Sequence, residues 1–180
     1  MTIDAGTGDG RAVLAAATRD PANLVLGLDA NAASMAEASR RAARPARKGG
    51  LPNAAFVVAA AEALPTELCG VADLVTVRLP WGSLLRGVVG REEVVATGLA
   101  GLVTATGTIE LLLAPIDRDS LGAIPTSRRG LVDGAAAAFE PRGFEIDAVC
   151  ELTPAQLRDS GSSWARRLGR PATLIRLRRR

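Results

Sequence analysis

Met1-Thr2-Ile3-Asp4-Ala5-Gly6-Thr7-Gly8-Asp9-Gly10 opens the chain, and its reading decides the fold. A short apolar strand runs into Asp4, and glycines follow at the alternate positions 6, 8 and 10. Such a loop lets the backbone approach a ligand closely, because a side chain at any of the three positions would block it. The next apolar run, Leu24-Val25-Leu26-Gly27-Leu28, ends on Asp29. An acid about twenty residues after the glycines is placed to bind the two hydroxyls of a ribose. The stretch therefore reads as the N-terminal edge of a site for an adenosine-containing cofactor.

The rest of the chain alternates apolar runs with alanine-rich helical stretches. Strands are expected at Ile3-Asp4, Leu24 to Asp29, Ala54 to Ala60, Ala72 to Leu79, Thr108 to Ala114, Phe144 to Leu152 and Ala172 to Leu177. Helices are expected at Arg11 to Arg19, Ser34 to Ala43 (with Ser34 and Glu37 at capping-box spacing), Glu92 to Gly101 and Leu131 to Glu140. This alternation predicts an α/β fold: a mostly parallel seven-stranded sheet with helices on both faces. The last two strands are expected to form an antiparallel edge hairpin with a helical insert. Residues 1–180 show no repeat and no linker, so one domain is expected. Ligands of such sheets bind outside the carboxyl ends of the strands, where the strand order reverses. Asp4, Asp29, Glu62 and Pro80-Trp81 all fall just after strand ends and are expected to converge on one crevice.

The glycine spacing departs from the dinucleotide fingerprint. The third glycine comes one residue early, and the acids Asp4 and Asp9 flank the loop. Acids would repel a pyrophosphate, and they would attract the ammonium and sulfonium of S-adenosylmethionine. Further along, Ala60-Ala61-Glu62 closes the third strand. Leu79-Pro80-Trp81-Gly82-Ser83-Leu84-Leu85-Arg86-Gly87 forms a loop after the fourth. A second indole lies in Ser160-Gly161-Ser162-Ser163-Trp164, at the start of a short helix. Two indole faces suit a flipped base, and stacking contributes on the order of 1–3 kcal/mol per base. Each motif also has a plainer account. The loop can be a tight turn, Glu62 a helix-start acid, Trp81 a core residue and Trp164 a hydrophobic anchor.

Composition excludes several chemistries. There is no histidine, which removes the Ser-His-Asp triad and any histidine-based zinc site. Cys69 and Cys150 stand alone in sequence and read as buried thiols in a reducing compartment. No metal site is expected. No apolar run approaches the roughly 18 residues that span a membrane, and the reading is a cytoplasmic protein. The formal net charge is +3, and its distribution says more than its size. Cations cluster at Arg40, Arg41, Arg44, Arg47 and Lys48, at Arg128 and Arg129, and from Arg166 to Arg180. Lys48 is the only lysine among 22 cations. Arginine favours bidentate phosphate contacts, and a GC-rich genome accounts for the same bias.

Taken in order, Gly6-Thr7-Gly8-Asp9-Gly10-Arg11, Asp29-Ala30-Asn31, Ala60-Ala61-Glu62, Pro80-Trp81-Gly82-Ser83-Leu84-Leu85-Arg86-Gly87 and Ser163-Trp164-Ala165-Arg166-Arg167-Leu168 closely resemble a known family. It is the aminoglycoside-resistance methyltransferases that modify N1 of adenine 1408 in 16S rRNA, the kanamycin–apramycin resistance enzymes. The resemblance covers nearly the whole chain. It implies a class I, Rossmann-like methyltransferase fold, S-adenosylmethionine as cofactor and the assembled 30S subunit as partner, met by a single copy of the chain. It places Asp4, Gly6 and Gly8 at the methionine moiety, Asp29 and Ala30 at the ribose, and Ala61 and Glu62 at the adenine. Arg78, Leu79, Pro80 and Ser83 would line cofactor and target. Trp81 and Trp164 would stack the flipped adenine, with Ser162 close by. Arg40, Arg41, Arg44, Arg47, Lys48, Arg166, Arg167 and Arg170 would grip rRNA phosphates.

Two departures accompany the resemblance. The family usually begins with a hairpin of some twenty residues before the first motif, and this chain starts almost on the motif, so a clipped first strand is expected. Arg78 stands where relatives usually carry an apolar residue, and a cation beside a sulfonium is unfavourable unless it points away. Alternatives remain at this level: a small-molecule methyltransferase with an enclosed pocket, or a non-catalytic relative that binds cofactor or RNA. A nucleotide-binding dehydrogenase is disfavoured by the glycine spacing.

Overall fold

The strand that leads into the glycine loop, β1 (Thr2–Ala5), is the centre of the molecule. The computed structural model describes residues 1–115, 124–158, 165 and 167–180. Although only four residues long, β1 is paired in parallel along its whole length with β2 (Val25–Asp29) on one side and β4 (Ala72–Arg78) on the other. With β3 (Ala54–Val58), β5 (Val103–Leu113), β6 (Phe144–Leu152) and β7 (Ala172–Arg179), it completes a seven-stranded sheet of order β3-β2-β1-β4-β5-β7-β6. All pairings are parallel except β5–β7 and β6–β7. The chain order reverses between β1 and β4, which is where such a sheet opens a crevice.

The period-two alternation of the strands sorts the two faces. Ile3, Ala5, Leu26, Leu28, Val75, Val77, Ile109 and Leu111 face the main core. Helices α3 (Gly82–Val88), α4 (Glu93–Leu102) and α5 (Arg128–Phe139) cover that face with Leu85, Val95, Leu99 and Leu131. On the opposite face, α1 (Arg11–Arg19) seats Val13 and Ala17 against Val25. Beside it, α2 (Ala32–Ala42) packs Ala38 and Ala42 near Phe56. The end of that face nearer β6 carries a smaller cluster, where Leu157 of α6 (Pro154–Arg158) meets Leu112, Ala165 and Ala172.

Several boundaries differ from the sequence reading, each for a physical reason. Gly82 to Val88 is helical, not loop. Glycines at positions 82 and 87 hide the signal, but Gly87 lets α4 close in: a Cβ there would lie 2.3 Å from Val95 Cγ1. The Ser34–Glu37 capping box does not form. Asn31 caps α2 by accepting the Ala33 amide at 3.0 Å, while Glu37 pairs with Arg40 instead. Strand β5 begins at Val103 rather than Thr108, directly after α4, with an irregular register against Ala72 and Leu74. Strand β7 runs on to Arg179 because Arg176 and Arg178 point away from the core, while Arg179 lies over the buried Phe144 ring and donates to Ala100 O. Arg176 meets Glu110 at 2.6 Å and Arg178 meets Glu145 at 2.6 Å, while Ile175 and Leu177 face in. Both cysteines are exposed rather than buried. Cys69 follows a surface turn, and Cys150 lies on the solvent side of the edge strand β6.

Gly10 fixes how α1 leaves the loop. Its φ is +69°, and a Cβ would lie 2.6 Å from both Ala38 Cβ and Phe56 Cε1. Gly10→Ala is expected to cost about 2–4 kcal/mol, from a left-handed backbone plus overpacking. Gly49→Ala shares the backbone strain (φ +78°) but meets nothing within 4 Å. It should cost ~1–2 kcal/mol. Equal destabilisation of the two variants in denaturant unfolding would show that the Phe56 contact is not limiting.

Candidate functional site

At the carboxyl ends of β1, β2 and β4 lies an open crevice of about 310 Å³, at the low end of small-molecule sites. The structure brings into it Asp4, Gly6, Gly8, Asp29, Ala30, Ala61, Glu62, Arg78, Leu79, Pro80, Trp81 and Ser83. Asp9, the second acid expected to flank the ligand, lines it too, as do Thr7, Ala59 and Leu84, to which the sequence reading gave no ligand contact of their own.

The loop is held from below by Asp29. Its Oδ2 accepts the Gly8 amide at 2.8 Å, and its Oδ1 accepts the Asn31 amide at 2.8 Å. One carboxylate thus ties the glycine loop to the start of α2, a task that the ribose reading alone did not include. Gly8 itself faces open space, since a Cβ built there meets nothing within 4 Å. The opening belongs to the crevice. The Thr7 hydroxyl is buried beside it without a hydrogen-bond partner among the described residues. A buried hydroxyl without a partner is costly, and a polar ligand would supply one.

Asp4, next to last in β1, is almost sealed, 2% exposed. Its Oδ1 accepts the Thr76 hydroxyl at 2.7 Å and the Arg78 guanidinium from β4. Arg78 also donates to Thr76 Oγ1 at 2.9 Å. The cation that looked unfavourable in sequence is therefore the counter-ion of a buried acid, recruited from 74 positions away.

Glu62 lies in the turn beyond β3, which ends at Val58, rather than at the strand terminus. The nearby Ser83 hydroxyl at the start of α3 is the main influence that favours its charged form, and its own backbone amide helps. Together they hold the carboxyl of this exposed residue below the usual range, against a smaller opposing effect of desolvation. Leu84 of the same helix sits over Gly6, where a Cβ would be 2.5 Å from Leu84 Cδ2. The first turn of α3 thereby closes one wall of the crevice.

Between β4 and α3 the chain takes one strained step. Leu79 has φ +50°, the only non-glycine residue in the left-handed region among those described. Its amide still donates to Leu112 O at 2.8 Å, and the turn then throws Pro80 and Trp81 clear of the sheet. Trp81 is 79% exposed. An indole left in water at a crevice mouth lacks the core role that its sequence also allowed.

Away from the crevice the charges divide. Arg40, Arg41, Arg44, Arg47 and Lys48 are exposed along the end of α2 and the loop that follows. That loop enters β3, so it lies toward the amino ends of the strands, opposite the crevice. Arg167 is exposed. Arg170, expected on a phosphate-gripping surface, is half-buried and instead donates to Pro115 O at 3.1 Å and to Ala114 O. It anchors the end of β5. Ser162, Trp164 and Arg166 lie outside the described residues. Among the described residues no cluster of metal-ligating side chains is found, and no helix is long and apolar enough to cross a membrane.

Comparison with known proteins agrees with this geometry. Residues 1–177 match the NpmA family, described as 16S rRNA (adenine(1408)-N(1))-methyltransferase. A protein of that name from Escherichia coli is 33% identical over 186 residues, covering 97% of this chain and 84% of its own. The enzyme of the same name from Catenulisporales acidiphilia, solved with its cosubstrate S-adenosylmethionine as a tryptophan-to-alanine variant, superposes with a TM-score of 0.85. It shares 34% identity over 99% of this chain and 84% of that one. The aminoglycoside resistance methyltransferase NpmB1 superposes with a TM-score of 0.79 at 35% identity, over 99% and 86%.

Ser83→Ala is expected to raise the Glu62 titration midpoint toward the ordinary carboxylate range, read by carboxyl NMR. In the parent, the stabilisation from this contact is present above the unfolded-state value and is lost as pH falls through the lowered native one. An unmoved midpoint would mean that the Ser83 hydroxyl does not hold Glu62.

Proposed function

The chain belongs to the family of 16S rRNA (adenine(1408)-N(1))-methyltransferases, and from that premise we propose how its crevice works. It is an S-adenosylmethionine-dependent methyltransferase that modifies N1 of adenine 1408 in the 16S rRNA of the 30S subunit, giving aminoglycoside resistance. The observation that carries the mechanism is Trp81, exposed at the mouth of a crevice built for an adenosine ligand.

The crevice fits that ligand on its own terms. Asp29 ends β2 where a ribose would lie, Gly8 leaves open space, and the Thr7 hydroxyl awaits a partner. S-adenosylmethionine, when bound, supplies an electrophilic methyl group. The chain's residues bind, orient and exclude water. Asp4, Gly6 and Gly8 serve the methionine end, Asp29 and Ala30 the ribose, Ala61 and Glu62 the adenine, and Arg78, Leu79, Pro80 and Ser83 the wall between cofactor and target.

Adenine N1 carries an in-plane lone pair and no proton, so attack needs alignment rather than a base. The crevice is arranged accordingly. Asp4 is committed to Arg78 and Thr76, Asp29 to two backbone amides, and Glu62 to Ser83. Trp81 offers an indole face on which a base taken out of its stack would lie. A methylated adenine becomes a cation, and an indole face stabilises it further.

Trp164, with Ser162 near it, is the second stacking face of this proposal. The support comes from packing. Leu79, two residues before Trp81, and Ala165, next after Trp164, belong to the same small apolar cluster. The shared cluster brings Ala165 and Leu79 together, the sequence neighbours of the two indoles.

Arg40, Arg41, Arg44, Arg47 and Lys48, with Arg166 and Arg167, form the proposed phosphate grip. A footprint holding both the α2 loop and the crevice spans the height of the sheet. This favours a large, rigid partner such as an assembled subunit over a free small molecule. All proposed site residues come from one chain, so a single copy acting on cytoplasmic ribosomes suffices.

Primer extension on 30S subunits incubated with the protein and S-adenosylmethionine should stop at adenine 1408. Trp81→Ala should remove the stop while calorimetric cofactor affinity changes less than about threefold, because stacking acts on the target alone. A stop elsewhere, or an undiminished stop with Trp81→Ala, would overturn the reading. Replacing Arg44 and Arg47 together should reduce the salt slope of 30S binding by roughly one for each phosphate that is no longer gripped. Equal slopes would take the α2 loop out of the footprint.

A further inference from the structure

Arg78 does more in this crevice than balance Asp4. Strand order runs β3-β2-β1-β4, so the crevice presents Glu62, then Asp29, then Asp4, then Arg78 from one side to the other. With a ribose at Asp29, an adenine falls toward Glu62. The amino-acid end of the ligand then falls toward Asp4 and Arg78. That end is a zwitterion, with an ammonium and a carboxylate on one carbon.

Asp4 alone would suit the ammonium and repel the carboxylate. Arg78 changes this balance. Its Nη1 is taken by Asp4 and Thr76, while Nε and Nη2 have no partner among the described residues. The side chain is 24% exposed and lines the crevice, so it is neither buried away nor free in solvent. A guanidinium held on one edge presents its other edge as a planar donor, the geometry that suits a carboxylate.

We propose that the Asp4–Arg78 pair is the subsite for the α-amino-acid group of the ligand, with Arg78 as the receptor for its carboxylate. The inference rests on the cofactor reading above. It adds a carboxylate-selective contact that comes from β4 rather than from the glycine loop. The cation is tolerated near a sulfonium because Asp4 and the ligand's own carboxylate share its charge.

The test is isothermal titration calorimetry with two probes. S-adenosylhomocysteine carries both ammonium and carboxylate, and decarboxylated S-adenosylhomocysteine keeps only the ammonium. The parent should prefer the first by roughly ten- to a hundredfold, the range of one charge-assisted hydrogen bond. Arg78→Gln keeps an amide donor for Asp4 and loses the cation, and it should erase that preference. Arg78→Lys should retain part of it. The preference is a ratio within each variant, so a general loss of stability, followed by thermal melting, does not mimic the result. A parent with no preference, or an Arg78→Gln variant that keeps it, overturns the subsite. A parent that binds neither probe overturns the cofactor reading instead.

Discussion

A carboxylate sealed in a protein must find a counter-charge, and Asp4 meets that requirement across the centre of the sheet. Removing one partner of a buried pair typically costs about 3–5 kcal/mol, so the arrangement is not optional once Asp4 is buried. Its partners, Thr76 and Arg78, both stand on β4. The pair therefore bonds the strand that feeds the glycine loop to the strand that feeds Trp81. These two strands flank the point where the chain order reverses. The place where the sheet must open to make a site is thus the place where it is electrostatically tied.

Two close approaches follow from that tie. Gly6 lets Leu84 descend onto the loop, and Gly10 lets Phe56 and Ala38 descend onto its far end. The loop is consequently pressed from α3 on one side and from α2 and β3 on the other. Asp29 holds its middle through the Gly8 amide. A flexible sequence is made into a rigid cradle by its neighbours, and the open space above Gly8 is what they leave for a ligand. Preorganisation of this kind matters where catalysis depends on alignment rather than on proton transfer.

Much of this was legible in the sequence. The alternation of apolar runs and helices fixed the strands and their mostly parallel pairing. Asp4, Asp29 and Pro80-Trp81 fall at strand ends because strands stop where loops begin to work. Other features depend on contacts that spacing does not encode. Arg78 reads as a misplaced cation until Asp4, far away in sequence, comes beside it. Asn31 outcompetes Ser34 as the cap of α2 because the Asp29 carboxylate holds the Asn31 amide. The helix from Gly82 is too short and glycine-rich to announce itself. Cys69 and Cys150 are exposed against expectation because a residue's general preference for burial says nothing about which strand is the edge. Arg170 looked like part of a basic tail, yet the carbonyls at the end of β5 claim it.

Leu79 shows how strain and packing cooperate at such a site. A left-handed leucine costs on the order of 1–3 kcal/mol, and the following proline restricts it further. The conformation persists because its amide completes the β4–β5 ladder at Leu112 O, and its side chain joins the cluster of Leu112, Leu157, Ala165 and Ala172. That cluster belongs to the antiparallel end of the sheet, remote from the cofactor half of the crevice. The chain thus anchors Leu79 in one half of the molecule and projects Pro80 and Trp81 toward the other. An indole held this way has a fixed origin and a free face. The first suits accurate placement of a target atom, and the second suits a base that arrives from a much larger partner.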